Sequence, residues 1–240
     1  MKYKEVLITC GNSGIAQGIK KVLTDNGDSI KTTYKNGTGD FKLDFFSRES
    51  IDLCIEKMKK ESNGFDAVAF IIPRIEPSAE VFPSSEKWIE TFEKYFINPL
   101  HFLEKMIKNK ILNNQASVVM LAGISNKQAM TGYAINNTIR LAWLGQMKTM
   151  SLALAPTYKF NSVSLGGVMT ESYTRKLEIK AAQNDISLSE QLIKETDNIP
   201  LNKYASVENV ANVVVPLLGS FSDHITGQNI LVDGGFIRTY

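Results

Sequence analysis

Val6-Leu7-Ile8-Thr9-Cys10-Gly11-Asn12-Ser13-Gly14-Ile15-Ala16 is the stretch that decides the fold of this 240-residue chain. A short apolar run leads into a polar turn, and apolar side chains then recur at helical spacing from Ile15 to Asn26, before Gly27. This order predicts a strand, a tight turn and a helix. The backbone N–H groups of such a turn can bind a phosphate at the helix N-terminus, although similar turns also occur without a ligand.

Four further apolar runs have the length of strands, and they lie at 67–72, 118–121, 161–165 and 230–232. Their unbroken apolarity is typical of strands that are covered on both faces, as in a parallel sheet. A second helix is predicted from Ser206, a suitable N-cap, to Leu218, before Gly219. Alternating strands and helices predict a doubly wound parallel α/β sheet with ligands at the carboxyl ends of its strands. No linker divides residues 1–240, so we expect a single domain.

Composition excludes several classes of protein. The chain has 27 Lys and Arg against 25 Asp and Glu, so it lacks the basic excess expected of a nucleic-acid or anionic-membrane partner. Its two cysteines, Cys10 and Cys54, are too few for a disulfide framework, and no Cys/His spacing suggests a metal site. The N-terminus lacks the apolar segment of a signal peptide, and the longest apolar run is too short to span a bilayer. These features favour a cytoplasmic protein.

The stretch from 170 to 198 is the most polar part of the chain. It lies between a late predicted strand and the predicted helix that starts after Ser206. Because long loops in compact domains tend to be functional, we interpret it as a substrate lid or loop rather than a linker.

Both ends of the chain resemble the short-chain dehydrogenase/reductase family. The segment Ile225-Thr226-Gly227-Gln228-Asn229-Ile230-Leu231-Val232-Asp233-Gly234-Gly235 is similar to the C-terminal segment of that family, and 9–16 resembles its Thr-Gly-x-x-x-Gly-x-Gly loop. The resemblance implies a Rossmann fold that binds NAD or NADP. It places the pyrophosphate on the following residues: Cys10, Gly11, Asn12, Ser13, Gly14 and Ile15.

The same resemblance assigns further positions around the dinucleotide. Asp44 is similar to the family aspartate that contacts the adenine, and Gly166 ends a stretch that resembles the one beside the nicotinamide. Ile71 lies where the family ends its fourth strand with the polar Asn-Asn-Ala-Gly. The predicted second strand ends at Tyr34-Lys35, where a cation favours the 2′-phosphate of NADP. The enoyl-reductase branch of the family often uses NADH, so the sequence leaves the choice between NAD and NADP open.

The family's catalytic set is a serine, a Tyr-x-x-x-Lys motif and an asparagine on the central helix, for which Asn98 is the counterpart. If Tyr133 is the tyrosine, Asn137 replaces the lysine. A second register places Arg140 at the lysine and Asn136 at the tyrosine. Tyr133 then precedes the cation by the Tyr-x6-Lys spacing of the enoyl-[acyl-carrier-protein] reductase branch.

Several departures from the family accompany this register. Cys10 and Ala16 replace glycines of the cofactor loop, and a Cβ at position 10 restricts the turn. The serine and the second tyrosine that many members of the enoyl-reductase branch carry fall here on Ala122 and Gly123. We interpret Ser125 as a loop hydroxyl. Arg140 keeps a charge but has a different reach from lysine and a pKa too high to move protons.

Two hypotheses therefore stand side by side. The first is an NAD(P)H-dependent reductase of an acyl thioester or other carbonyl substrate, in which Tyr133 donates a proton and Arg140 binds the nicotinamide ribose. The second is a catalytically silent subunit that pairs with an active relative or a carrier protein. In either case the resemblance implies a dimer or tetramer. Its interface or, alternatively, the core would take Trp143, Leu144, Met147 and Phe236.

Overall fold

Strands occur throughout the part of the chain that the structure describes. A computed structural model describes residues 4–78 and 80–239. In chain order its strands are β1 (Glu5–Ile8), β2 (Ser29–Tyr34), β3 (Phe41–Lys42), β4 (Phe65–Ile71), β5 (Leu112–Gly123), β6 (Tyr158–Leu165), β7 (Val168–Met169), β8 (Ala205–Ser206) and β9 (Asn229–Val232). Seven of them form one parallel sheet in the order β3-β2-β1-β4-β5-β6-β9, and β7 pairs with β8 in a small second sheet.

Helices cover both faces of this sheet. In chain order they are α1 (Gly14–Asp25), α2 (Arg48–Glu61), α3 (Ser85–Phe92), α4 (Asn98–Lys108), α5 (Ala134–Ala153), α6 (Glu171–Gln183), α7 (Leu188–Thr196) and α8 (Val207–Leu218). Val6 and Ile8 of β1 pack with α1 and α8, whereas Leu7 packs with α2, α4 and α5 on the other face. The side chains of Val6, Leu7 and Ile8 thus all point into apolar layers, which explains why this run is unbroken. The doubly wound parallel fold and the single domain are confirmed.

Local sequence explains where the predicted helices begin and end. Ser13 accepts a hydrogen bond from the backbone N–H of Ala16 and starts α1 one residue earlier than predicted. The chain leaves α1 through Gly27 at φ +79°, a backbone conformation that favours glycine. Ser206 and Asn209 form a reciprocal capping box at the start of α8, so that helix prediction is also confirmed.

Two predictions need correction. The polar stretch 170–198 is not a loop, because Thr170 caps α6 and Ser187 caps α7, so that it folds into two helices. The helical pattern is hard to see in the sequence, because the caps are single polar residues and few apolar side chains lie between them. Trp143 and Met147 are not interface residues, because both side chains lie in the core between α5 and the sheet.

The strand order reverses between β1 and β4, where the chain crosses from one half of the sheet to the other. In open α/β sheets ligands bind at the carboxyl ends of the strands beside such a switch point. This edge carries the turn after β1, the residues after β4 and the end of β5. Within residues 4–78 and 80–239, every helix is too short or too polar to cross a membrane.

Candidate active site at the carboxyl edge of the sheet

Thr9 joins the two strands that flank the switch point. Its hydroxyl donates a hydrogen bond to the Ile71 carbonyl at 2.6 Å and accepts one from the Ile71 N–H at 2.7 Å. On the other side, the Gly11 N–H donates to the Thr33 carbonyl at 2.8 Å and the Cys10 N–H donates to the Thr33 hydroxyl at 3.1 Å. The turn after β1 is therefore held on both sides by its neighbouring strands.

Cys10 adopts an unusual backbone conformation in this turn. Its φ of +50° lies in the left-handed region, which costs a residue with a Cβ about 1–2 kcal/mol. The family glycine that Cys10 replaces would carry no such cost. The thiol packs against both apolar layers, and this burial raises its pKa to about 12. Cys10 is therefore a packed, protonated thiol at the point where the backbone would approach a dinucleotide.

The rest of the turn retains the features of a phosphate-binding site. Gly11 is required here because a Cβ would lie 2.7 Å from Cβ of Thr32. Ser13 and Gly14 open α1, whose N-terminus provides unpaired N–H groups and a positive dipole end. A Cβ on Gly14 would lie 3.3 Å from the Thr170 side chain, so the first residue before α6 closes over this turn. Ile15 is half-buried and packs with the layer formed by α1 and α8.

A cavity of about 290 Å³ adjoins the turn. It is lined by Cys10, Asn12, Ser13, Tyr34, Lys35, Asn36, Leu43, Asp44, Phe45, Phe46 and Pro73. At its rim the Lys35 ammonium lies 2.9 Å from an Asp44 carboxylate oxygen and 5.0 Å from the centre of the Phe46 ring. The structure thus brings together most of the residues predicted to bind the adenosine half of a dinucleotide. A polar rim on an aromatic and apolar lining fits an adenosine.

The site continues beyond this cavity at Ile71 and Gly166. Ile71 ends β4 and is 8% exposed, so it offers only backbone groups and an apolar surface where the family has amides. Gly166 follows β6, and a Cβ there would lie 3.0 Å from Cα of Asp233. This close approach explains why position 166 holds a glycine.

Tyr133 and Arg140 lie together at the start of α5. Tyr133 is the N-cap residue of the helix, and its backbone forms an isolated bridge with Ser78. Burial lowers the pKa of the Arg140 guanidinium, the nearby Tyr133 opposes this effect, and Arg74 adds to it. Asn137, the lysine counterpart in the first register, instead bonds both backbone groups of Met130 and closes the loop before the helix.

The Arg140 side chain lies over the end of β5. An added Cβ at Gly123 would meet Cζ of Arg140 at 2.5 Å, so the guanidinium occupies the space that a side chain at position 123 would need. Its Nη1 donates a hydrogen bond to the Ser125 hydroxyl at 3.0 Å. Ser125 is buried in a short 3-10 turn after β5, so the hydroxyl that we interpret as a loop group also contacts the cation.

Asn98 and Asn136 are both buried beside this region. The Asn136 amide donates to the Ile75 carbonyl at 2.8 Å. Asn98 follows a π-helical turn, Glu93–Ile97, in which its N–H bonds to the Glu93 carbonyl. Among the described residues neither side-chain oxygen, Asn98 Oδ1 or Asn136 Oδ1, has a hydrogen-bond partner. Buried oxygens of this kind are usually satisfied by a bound water or ligand.

A polar cluster joins the helices of the 170–198 stretch to this edge. The Glu195 carboxylate accepts hydrogen bonds from the Tyr173 hydroxyl at 2.7 Å and the Tyr204 hydroxyl at 3.1 Å, and Lys180 lies 2.6 Å from it. The Tyr204 ring covers Gly167, where a Cβ would lie 2.0 Å from the ring. Burial raises the pKa of Tyr204, and Tyr133 contributes to the same direction. The cluster therefore anchors α6 and α7 beside Gly167.

Four contacts escaped prediction from the sequence. They involve Thr33, Ser125, Thr170 and Tyr204. Thr170 lies directly before a helix, and threonine is a suitable N-cap residue there. The other three depend on segments that are distant in the chain, so no local pattern marks them.

Comparisons with known proteins identify the family and agree with this fold. A family model described as enoyl-(acyl carrier protein) reductase matches residues 10–237. The 3-oxoacyl-[acyl-carrier-protein] reductase FabG of Buchnera aphidicola is 23% identical over 241 residues, which cover 95% of each chain. The structure of L-sorbose reductase from Gluconobacter frateurii with NADPH and L-sorbose has a TM-score of 0.91 at 18% identity, covering 100% of this chain and 98% of the other.

A second solved structure with a similar fold belongs to a protein whose catalytic site is itself unusual. It is an NADPH-bound short chain oxidoreductase from Pseudomonas aeruginosa PAO1, described as containing an atypical catalytic center. Its TM-score is 0.85 at 17% identity, and the match covers 100% of both chains. At this identity the likeness concerns the fold alone.

Proposed function

Since this chain belongs to the short-chain dehydrogenase/reductase family, we propose that it is an NAD(P)H-dependent reductase of an acyl thioester or another carbonyl or enoyl substrate. The observation that supports this best is the placement of Tyr133 beside Arg140, at the same sheet edge as the Ser13–Gly14 turn. A proton donor, a cation and a phosphate-binding turn are the parts that this reaction needs.

In this proposal several separate segments of the chain hold the dinucleotide. The turn from Gly11 to Gly14 takes the pyrophosphate, and the cavity beside Asp44 takes the adenosine. Arg140 binds the nicotinamide ribose, and Gly166 gives the nicotinamide room. Lys35 can bind the 2′-phosphate of NADP, but only by sharing its charge with Asp44, so NAD and NADP both remain acceptable. When bound, the cofactor supplies a hydride.

The protein's own groups handle the proton. The Tyr133 hydroxyl donates a proton to the substrate oxygen as negative charge develops there, and the Arg140 charge stabilises the phenolate that is left. The unpartnered oxygens of Asn98 and Asn136 hold water molecules that return a proton from solvent. Arg140 itself keeps its proton throughout.

Fluorescence titration with NADPH and NADH tests the first step. We expect binding of at least one of them at submillimolar concentration, and no binding at millimolar concentration would contradict the proposal. In the bound enzyme, Tyr133→Phe should lower turnover by about 100-fold or more while leaving cofactor affinity nearly unchanged.

A second candidate function is a silent subunit that pairs with an active relative or carrier protein. The conformation of Cys10 and the absence of a hydroxyl at Gly123 favour it, because both impair the family's usual site. Purification from the native host separates the two functions. A partner reductase that retains the chain supports the silent subunit, whereas a homo-oligomer with reductase turnover contradicts it.

The cellular setting that we propose follows from the same features. Cys10 and Cys54 are both free thiols, which suits the reducing cytoplasm. The substrate is a small molecule or a carrier-bound acyl group. From the family to which the chain belongs, we expect a dimer or tetramer.

A further inference from the structure

Arg140 carries a charge that the described protein does not neutralise. Its hydrogen bond is to the neutral Ser125 hydroxyl, and no carboxylate within residues 4–78 and 80–239 lies within 4.0 Å of its nitrogen atoms. By contrast, Arg74 lies 3.5 Å from Glu76, and Arg175 contacts Glu171. Arg140 thus differs from these arginines in having no acidic neighbour.

The position of Arg140 makes this unusual. The side chain is half-buried, and it is fixed between Gly123 and Ser125 rather than free to turn into solvent. A partly desolvated cation without a counter-ion is costly, and burial indeed lowers its pKa. The ribose hydroxyls that we assign to Arg140 can accept some of its five N–H donors but bring no charge, so further donors remain for an anion. An anion from outside the chain would remove the cost.

A second cation faces the same space. Arg74 follows β4 and is close enough to Arg140 to lower the pKa of Arg140 further. Its side chain is half exposed, at 51%, and its Nε lies 3.5 Å from a carboxylate oxygen of Glu76. Two neighbouring arginines, one fixed inside and one at the entrance, would attract an anion and guide it toward Tyr133.

The guanidinium also reaches the substrate side of the site. It fills the space above Gly123 at the carboxyl end of β5, where the enoyl-reductase branch of the family has its second tyrosine. A group at this place contacts the reacting end of a substrate rather than a distant tail. A planar fork of donors matches a carboxylate, which can accept two parallel hydrogen bonds from it.

We infer that the substrate of this enzyme carries a carboxylate beside its reacting carbonyl group, as a 2-oxo acid does, and that Arg140 binds this carboxylate with Arg74 at the entrance. The inference rests on the proposed reductase function and narrows its substrate class. It selects free oxo acids over acyl thioesters, which have no charge at that position.

Calorimetric titration with oxamate, an unreactive analogue of a 2-oxo acid, tests the inference. The matched neutral probe is ethyl oxamate, and both are titrated into the protein with and without saturating NADPH. We expect oxamate to bind about tenfold or more tightly than its ester. Arg140→Gln should weaken oxamate binding by about tenfold or more, Arg74→Gln by a few-fold, and the exposed control Arg175→Gln should leave it unchanged.

The outcomes separate the two proposals. Equal binding of acid and ester, or no oxamate binding at about 10 mM, overturns the carboxylate site even if NADPH binds. Oxamate binding that depends on Arg140 without any NADPH binding keeps the site but contradicts the reductase. If melting shows that Arg140→Gln is unfolded, the acid-to-ester ratio of the wild type and of Arg74→Gln decides the question.

Discussion

Gly123 and Arg140 depend on each other for space. Because a Cβ at position 123 would meet the guanidinium carbon at 2.5 Å, Gly123→Ser should displace Arg140 and lower the free energy of unfolding by about 1–3 kcal/mol. In the double variant Gly123→Ser with Arg140→Lys, the smaller ammonium group leaves room at position 123, and we expect it to recover part of this loss. Urea unfolding and NADPH titration of the two single variants and the double variant measure the coupling.

Gly145 provides the control for this pair. It lies within α5 like Arg140, but an added Cβ there meets nothing within 4 Å. Gly145→Ala should therefore stabilise the protein by about 0.5–1 kcal/mol. Additive effects of Gly123→Ser and Arg140→Lys would show that the two positions do not share space.

Cys10 is a second residue at which the chain departs from its family at a backbone cost. Cys10→Gly removes the left-handed strain and the Cβ in the phosphate-binding turn, and the relieved strain compensates for the lost packing of the thiol. We expect stability within about 1 kcal/mol of the wild type and an NADPH dissociation constant lower by about fivefold. Fluorescence titration measures this constant.

The other buried thiol serves as the comparison for Cys10→Gly. Cys54 lies in the core on α2, away from the turn, and burial raises its pKa to about 12 as well. Cys54→Ala should leave NADPH binding unchanged. Weaker binding by Cys10→Gly would mean that the thiol itself contacts the dinucleotide.

The helices α6 and α7 are held to the rest of the protein by Glu195. Burial alone would raise the pKa of this carboxyl, but donors from Lys180, Tyr173 and Tyr204 outweigh it and lower the pKa. Glu195→Gln should reduce the free energy of local opening by about 1–2 kcal/mol, because Gln accepts fewer and weaker hydrogen bonds. Hydrogen exchange should then be about tenfold faster in 171–196 and unchanged in α1 and α8.

The same carboxyl makes the attachment of α6 and α7 sensitive to acid. Its pKa is lower in the folded protein than in the unfolded chain, so its stabilisation is complete above about pH 4.5 and is lost as the pH falls through the folded value. The rate of exchange in 171–196, divided by the intrinsic rate at each pH, should thus rise below pH 4.5 in the wild type. In Glu195→Gln this ratio should stay constant. Glu171→Gln, which removes only an exposed pair with Arg175, is the control, and the same acid response in Glu195→Gln would exclude Glu195 as its source.

The whole molecule exposes apolar side chains on three adjoining elements. Ile89 of α3, Ile97 of the π-helical turn and Leu141 of α5 are 69%, 46% and 59% exposed, and these elements lie against one another. A second copy of the chain would bury them, in agreement with the expected oligomer. Light scattering should show a dimer or tetramer, and Leu141→Lys should shift it toward smaller species.

Leu53 on α2 is exposed to a similar degree, 65%, but lies outside this surface. Leu53→Lys should leave the oligomer unchanged. A monomeric wild type, or equal effects of the two lysine substitutions, would contradict an interface formed by α3 and α5.

The sequence by itself determined the elements and their order. Apolar runs such as 67–72 and caps such as Ser13 and Ser206 act through neighbours within a few residues, so their signals lie in the local sequence. The glycine turn and the C-terminal segment were sufficient to identify the family. From the spacing of Tyr133 and Arg140, before and within α5, the sequence also predicts that the two residues share one site.

Only the tertiary structure decided what surrounds these residues. The space above Gly123 that Arg140 fills, the Ser125 bond and the absence of an acidic neighbour within the described residues arise where β5 meets α5. The cluster of Tyr173, Glu195 and Tyr204 likewise joins two helices to a third segment. Such contacts depend on how helices and strands pack, and packing distances between segments far apart in the chain leave no periodic mark on either segment.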